Sequence, residues 1–581
     1  MSEFTITIND QAVPAREGMT VLQAAREAGI HIPTLCYHPD LPPLGACRVC
    51  LVEIEGERNL QPSCAFPVRP GMKVRTHSPT VRKARRTVVE LLLSDHPSDC
   101  TTCARNGNCE LQALAEELGL REVRVRVEPP GREVDDSSPA VVRDPDKCIL
   151  CRRCIETCAQ IQGVSTLRIK GRGYDSIIGA PFDLPMGHAL CVYCGQCINR
   201  CPTGALTEKS HIPLVWAALD DPNTFTVVQT APAVRVALGE ALGLPPGEIV
   251  TGKLTTALRR LGFDRVFDTN FAADLTIMEE GHELIHRLQH GGVLPQLTSC
   301  SPGWIKFLEH FYPELIPNLS TCKSPQQMFG AVAKTYFAQE AGIDPAVMRV
   351  VSIMPCTAKK FEAARPEMCA SGYRDVDYVL TTRELAQMIK EAGLDFANLP
   401  ESDYDDPLGE STGAAVIFGV TGGVMEAALR TAYEVITGQK LENVEITAVR
   451  GMEGVREAVV EAGELELRAA IAHGLANAAQ LLDKVVSGEA NYHFIEIMAC
   501  PGGCLGGGGQ PIPTSPEIRE KRADAIYEAD RRLPIRRSHE NPSIQRLYEK
   551  FLGHPLSERS HHLLHTHYVP RSRRAVQMEN A

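Results

Sequence analysis

No part of the 581-residue chain reaches the roughly 18 consecutive apolar residues that a bilayer span requires. The first residues, Met1-Ser-Glu-Phe-Thr-Ile-Thr-Ile, enter strand-like alternation with no signal-peptide pattern and no twin arginine. The expected location is cytoplasmic, without membrane association. Positive charge is also short: the formal net charge is -12, and the one dense basic run, Arg82-Lys-Ala-Arg-Arg86, reads as a solvated helix face. That balance argues against a nucleic-acid or anionic-membrane surface. The glycine-rich stretches at 419–423 and 506–509 lack both the Gly-Lys-Ser/Thr of a phosphate loop and a dinucleotide fingerprint, so no nucleotide site is expected on this chain.

Cysteine, by contrast, is plentiful. Of 21 cysteines, fifteen fall between Cys36 and Cys201, none between residues 202 and 299, and the last six are Cys300, Cys322, Cys356, Cys369, Cys500 and Cys504. In a reducing compartment such a set reads as metal ligands rather than disulfides. Length alone implies several domains, about four at roughly 150 residues each.

The clearest signal is a duplicated run: Cys148, Cys151, Cys154 and Cys158, then Cys191, Cys194, Cys197 and Cys201 followed by Pro202. In two-cluster ferredoxins the first three cysteines of each run hold one cubane and the fourth crosses to the other. The expected sets are therefore Cys148, Cys151, Cys154 and Cys201, and Cys191, Cys194, Cys197 and Cys158. Upstream, Cys36, Cys47, Cys50 and Cys64 are four thiolates suited to a 2Fe-2S cluster, with zinc as the alternative. His96, Cys100, Cys103 and Cys109 form a mixed set, ambiguous on spacing alone between zinc and a 4Fe-4S cubane. Four clusters in series would make a wire for one-electron traffic.

Local patterns predict a strand at 3–8, a helix from Thr20 to Ala28 with Thr20 as N-cap, a strand at 49–54, a helix from Ser78 through Leu93 and another over 110–118. Residues 129–139 have linker composition. Beyond residue 225, strands at 225–228, 350–353 and 415–418 alternate with helical stretches at 254–261 and 383–392, which predicts largely parallel sheets.

Three C-terminal motifs carry the chemistry: Thr298-Ser-Cys300-Ser-Pro-Gly-Trp304, Met354-Pro-Cys356-Thr-Ala-Lys359-Lys-Phe-Glu362, and Glu496-Ile-Met-Ala-Cys500-Pro-Gly-Gly-Cys504 running into Gly506–Gly509. Glycine of this density lets bulky inorganic matter approach the backbone. Together the motifs closely resemble the active-site signatures of the FeFe (iron-only) hydrogenases, which make and split H2. The resemblance covers essentially the whole chain. It implies β-grasp 2Fe-2S, helical His-ligated 4Fe-4S and two-4Fe-4S ferredoxin modules of α+β type at 1–78, 79–135 and 140–209. An α/β catalytic domain would follow at 210–581, ending in a small-subunit-like segment. The first 210 or so residues also resemble the large iron-sulfur subunit of NADH dehydrogenases, and this favours a cubane at His96. A non-catalytic electron-transfer subunit of that kind, or an iron-sulfur carrier like the cytosolic assembly proteins related to hydrogenases, would leave Lys359 and the Cys504 loop without a purpose.

The resemblance further implies an H-cluster, a 4Fe-4S cubane joined through a cysteine sulfur to a di-iron unit carrying CO, cyanide and a bridging dithiolate amine. Cys356, Cys500 and Cys504 match ligand positions, with Cys504 bridging; Lys359 would donate to a cyanide. Ala231, Pro232, Gln326, Met354, Phe418 and Met498 match pocket-lining positions. Members commonly carry adjacent cysteines in the first motif, whereas here the pair is Cys300-Ser301. Ungapped spacing puts Ser301 at the ligand position and Cys300 at the proton-relay position, but thiolate is the better iron ligand. The expectation is that Cys300 ligates and Ser301 takes part in proton transfer, with the reverse open. Glu280, Glu283 and Arg287 share a helical face and would by default be solvated charge; the resemblance assigns them, with Ser320, to a proton path. Expected partners are H2, protons, maturation proteins for the di-iron unit, and either flavin and iron-sulfur NAD(P)-linked subunits or a ferredoxin. Cys322 and Cys369 are left over and are expected to be buried as small hydrophobes, and His561, His562, His565 and His567 to have structural or solvent-facing roles.

Overall fold

The computed structural model describes residues 3–462 and 465–572. At the N-terminus, strands Glu3–Ile8 and Gln11–Arg16 form a hairpin, and Glu3–Ile8 also pairs in parallel with Lys73–Arg75, which in turn pairs with Leu51–Ile54. The five-stranded sheet is completed by Gln61–Pro62. Thr20 starts the Val21–Glu27 helix through a reciprocal capping box with Gln23, burying Val21, Leu22, Ala24 and Ala25 against the sheet. The strand expected at 49–54 begins only at Leu51, because Cys50 belongs to the preceding cysteine loop.

Ser78 and Pro79 set the start of the Pro79–Leu93 helix. Its basic run is not wholly solvated, however. Arg85 is buried and donates to the carbonyls of Val49 and Leu51, and Arg86 donates to the Leu118 carbonyl, so two of the four cations tie the helix to its neighbours.

The C-terminal part contains two four-stranded sheets. In the first, Arg265–Asp268, Phe225–Thr230, Met348–Met354 and Tyr378–Thr381 lie side by side, all parallel. In the second, Gln296–Leu297, Phe494–Met498 and Leu465–His473 are parallel, and Val455–Ala462 closes the edge antiparallel. The Thr269–His290 helix contributes buried residues to the cores on both sides. One expected strand is a helix: residues 415–418 lie in Gly413–Val416 and the following turn Ile417–Gly419, wholly buried. Thr412 caps that helix while its own hydroxyl and amide bond to Asp274. A short apolar run buried on every side has no periodicity to separate strand from helix.

Candidate active site

Cys36, Cys47, Cys50 and Cys64 are buried together. The Cys47 amide lies 3.5 Å from the Cys36 sulfur, and hydrogen bonds among the thiols drive Cys36 and Cys50 down and Cys47 and Cys64 up. Four sulfurs in mutual contact are a donor set that suits a small iron-sulfur group. At the next module, burial lowers the His96 pKa and so favours the neutral imidazole, and its Nδ1 is buried without a hydrogen-bond partner, as a ligating nitrogen would be.

In the duplicated run, Cys148, Cys151, Cys154 and Cys201 line one cavity of about 430 Å³, and Cys158, Cys191, Cys194 and Cys197 line another of about 390 Å³. The fourth cysteine of each run thus meets the first three of the other. Left-handed backbone recurs at matching places, Leu150 and Arg152 in one loop and Tyr193 and Gly195 in the other. The same turn therefore wraps both cavities.

These modules lock onto the C-terminal domain through buried amides. Gln162 donates to the Ala499 carbonyl at 2.9 Å, Gln196 to Gly506 at 2.8 Å, Asn199 to Gly507 at 2.8 Å, and Thr357 to the Tyr193 carbonyl at 2.7 Å. Glycine is required here: a β-carbon on Gly508 would stand 2.1 Å from the Cys194 carbonyl oxygen. On the far side, Asp40 is held between Arg200 at 2.6 Å and Arg519 at 2.6 Å, which clamps the first module to the ferredoxin and to the Pro516–Arg532 helix.

A cavity with about 810 Å³ of empty space lies beyond the C-terminal ends of parallel strands from both sheets, the usual ligand position in such sheets. Phe225–Thr230 delivers Ala231 and Pro232, Met348–Met354 delivers Met354 and Cys356, Gln296–Leu297 leads to Cys300 and Ser301, and Phe494–Met498 leads to Cys500 and Cys504. Gln326, Lys359, Phe418 and Met498 complete a predominantly apolar wall. All residues expected to contact the di-iron unit are therefore around one space. Lys359 Nζ donates to the Cys300 carbonyl at 3.1 Å and to Glu362 at 2.8 Å, and the Gln326 Oε1 is buried without a partner. Soft thiols, an ammonium, an unpaired polar atom and close-packed glycine suit a compact, partly anionic metal group.

Cys300 and Ser301 point to different neighbours. Burial pushes the Cys300 thiol up, and among charged groups Glu280 acts on it most strongly, ahead of Lys359 and Cys504. Ser301 Oγ instead accepts from the amide of Ala499, beside Cys500, at 3.4 Å. Ligand chemistry favours Cys300 as the fourth ligand, whereas this contact sets Ser301 beside the Cys500 loop.

Glu280 and Glu283 are buried, not solvated. Neither Glu280 carboxylate oxygen has a hydrogen-bond partner, and burial, reinforced by the Glu283 charge, pushes its pKa up to about 8. Glu283 accepts from Ser320 Oγ at 2.8 Å, from the Thr321 amide and from Arg287 at 2.6 Å, and Arg287 is half-buried at the outer end. Ser320, Glu283 and Arg287 are joined by hydrogen bonds, and Glu280 acts through its charge on the Cys300 thiol at the cavity wall.

The motifs contain Glu362 and Glu496 without giving either a role: Glu362 accepts from Lys359 one turn away, and Glu496 accepts from the amides of Gly422 and Met425 at 2.6 and 2.7 Å. Cys369 is exposed rather than buried, its thiol donating to the Pro366 carbonyl. Cys322 is fully buried, as expected, and so is His565, between Glu279 and Thr321.

Residues 224–508 match the family model for the C-terminal domain of the iron-only hydrogenase large subunit, and 516–571 that of the iron hydrogenase small subunit. Residues 2–79 match a 2Fe-2S iron-sulfur cluster binding domain, 85–124 the NADH-ubiquinone oxidoreductase-G iron-sulfur binding region, and 138–207 the ferredoxin-like domain of NADH-quinone oxidoreductase subunit 3. The NADP-reducing hydrogenase subunit HndD of Solidesulfovibrio fructosivorans is 54% identical over 586 residues, spanning 99% of this chain and 100% of that protein. The chain belongs to the FeFe-hydrogenases. Iron hydrogenase 1 of Clostridium pasteurianum is 41% identical over 97% of this chain and 99% of its own length. A solved structure of the FeFe-hydrogenase HydA1 from Chlamydomonas reinhardtii, 48% identical, covers 63% of this chain and all of that one with a TM-score of 0.57. This FeFe-hydrogenase chain is therefore a catalytic subunit for H2 oxidation and proton reduction, with iron-sulfur modules of 2Fe-2S and 4Fe-4S type carrying electrons. Among the described residues, no helix is long and apolar enough to cross a membrane.

Proposed function

We propose that this chain is the catalytic subunit of an NAD(P)-linked hydrogenase complex, with a 2Fe-2S cluster, three accessory 4Fe-4S clusters and an H-cluster. The 2Fe-2S cluster belongs to Cys36, Cys47, Cys50 and Cys64. The first cubane belongs to His96, Cys100, Cys103 and Cys109, and the other two to the crossed sets of the duplicated run. Cys356, Cys500 and Cys504 would hold the H-cluster, with Ser301 the candidate for the fourth ligand. When bound, the H-cluster supplies the soft metal centre at which H2 is split heterolytically.

The protein's own groups manage protons and water. Met354, Phe418 and Met498 keep the cavity apolar, which strengthens the field of every charge within it. Lys359, fixed by Glu362 and the Cys300 carbonyl, lines the cavity where its ammonium would donate to the bound group. The Cys300 thiol exchanges protons with Glu280, whose raised pKa lets it hold a proton near neutrality, and Ser320, Glu283 and Arg287 continue the route outward.

The observation that carries the NAD(P) coupling is the end-to-end likeness to a subunit named as NADP-reducing, on a chain without a nucleotide motif of its own. A separate flavin and iron-sulfur subunit would dock near the outer clusters in the cytoplasm, after maturation proteins have installed the di-iron unit. Native purification is expected to bring down a flavoprotein and to give H2-dependent reduction of NADP or NAD. A lone chain, fully active with ferredoxin and free of flavoprotein, would overturn the complex in favour of a stand-alone enzyme.

A further inference from the structure

Lys306 lies on the Pro302–Phe311 helix, which starts directly after Cys300 and Ser301. It is 5% exposed, and among the described residues its Nζ has neither a hydrogen bond nor a carboxylate partner. A buried ammonium without a carboxylate partner is costly unless an electron-rich or anionic group faces it. The nearest acid on its own helix does not serve: Glu309 is already taken by Arg365 at 2.6 Å and Arg571 at 2.5 Å. Arg365 is also paired with Glu367. On that side two arginines and two glutamates balance one another, and among the described residues no acid is left over for Lys306.

On the other side Nζ sits 3.5 Å from the centre of the Tyr193 ring and 5.2 Å from that of Phe361. Tyr193 lies between Cys191 and Cys194, its amide 3.4 Å from the Cys191 sulfur and its carbonyl bonded to Thr357 beside Cys356. Lys306 is thus placed at the junction of the Cys191 loop and the Cys356 loop.

Four thiolates and an iron-sulfur core carry net negative charge, and each electron received adds one more. A fixed cation beside the core therefore stabilises the reduced form and raises the reduction potential. We propose that Lys306 is the counter-ion of the cluster held by Cys158, Cys191, Cys194 and Cys197, raising its potential so that it takes electrons at the junction with the H-cluster. H2 oxidation releases two protons and two electrons; the electrons leave singly through this cluster, and no bond forms or breaks at Lys306. It is a positioning residue for charge, and the inference rests on the ligand sets proposed above.

The test is a redox titration of the fully loaded protein followed by electron paramagnetic resonance, with iron content measured in parallel. Lys306→Met is expected to move one cubane signal to lower potential, leave the other accessory clusters where they were, and keep iron content unchanged. Lys306→Arg should restore the potential. Lys306→Gln is the second neutral variant; if both neutral variants lose iron while Lys306→Arg keeps it, the charge is required to hold the cluster, which also supports the role. Unmoved potentials in loaded Lys306→Met, equal shifts of every cluster, or iron loss in Lys306→Arg as well would overturn it. Accessory clusters missing from the unmutated protein would instead overturn the ligand sets.

Discussion

Glu280→Gln is expected to lower H2 turnover by about two to four orders of magnitude, the usual worth of a positioned general acid or base, while leaving iron content and infrared bands in place. The glutamine keeps size and burial but cannot hold a transferable proton. Glu280 is the step most exposed to such a change because both its oxygens lack partners in the resting structure, whereas Glu283 is anchored by Arg287, Ser320 and a backbone amide. In the proposed route, a buried carboxyl with a pKa raised to about 8 would carry protons between Cys300 and Ser320. Stopped-flow or film voltammetry of the variant checks it; turnover within a few fold of the parent would remove Glu280 from the route.

The second large effect separates Cys300 from Ser301. With the Cys300 thiol under the influence of Glu280 and the Ser301 hydroxyl beside the Cys500 loop, Cys300→Ala should keep the H-cluster infrared bands and lose turnover by about two to four orders of magnitude. Ser301→Ala should lose the bands, and Ser301→Cys, which supplies the softer ligand at the same place, should retain them. Loss of the bands in Cys300→Ala together with their survival in Ser301→Ala would return ligation to Cys300.

This pair also marks where reading the chain reaches its end. Spacing located both residues, but which one faces the carboxylate depends on the turn into the Pro302–Phe311 helix and on where residue 499 lies, and neither is local. The crossed grouping of the eight cysteines was legible because two runs of identical spacing state their own partnership, and Thr20 and Ser78 announced their helices through caps that act within three residues. By contrast, Arg85 looked like one more surface cation until strand carbonyls at Val49 and Leu51 arrived from more than thirty residues away. Glu496 bonds to amides at least 71 residues distant, and Lys306 gains meaning only from the Tyr193 ring beneath it. The helix at 413–416 was misread for a related reason: complete burial erases the polar face that would mark its period.

The account's central claim is that Cys356, Cys500 and Cys504 build, with Lys359 and the apolar wall around them, a site that holds a di-iron unit rather than a cubane alone. Infrared spectroscopy of the fully matured protein tests this directly. CO and cyanide stretching bands that disappear in Cys504→Ala are the predicted result; matured protein that contains its iron-sulfur clusters but shows neither band would contradict it.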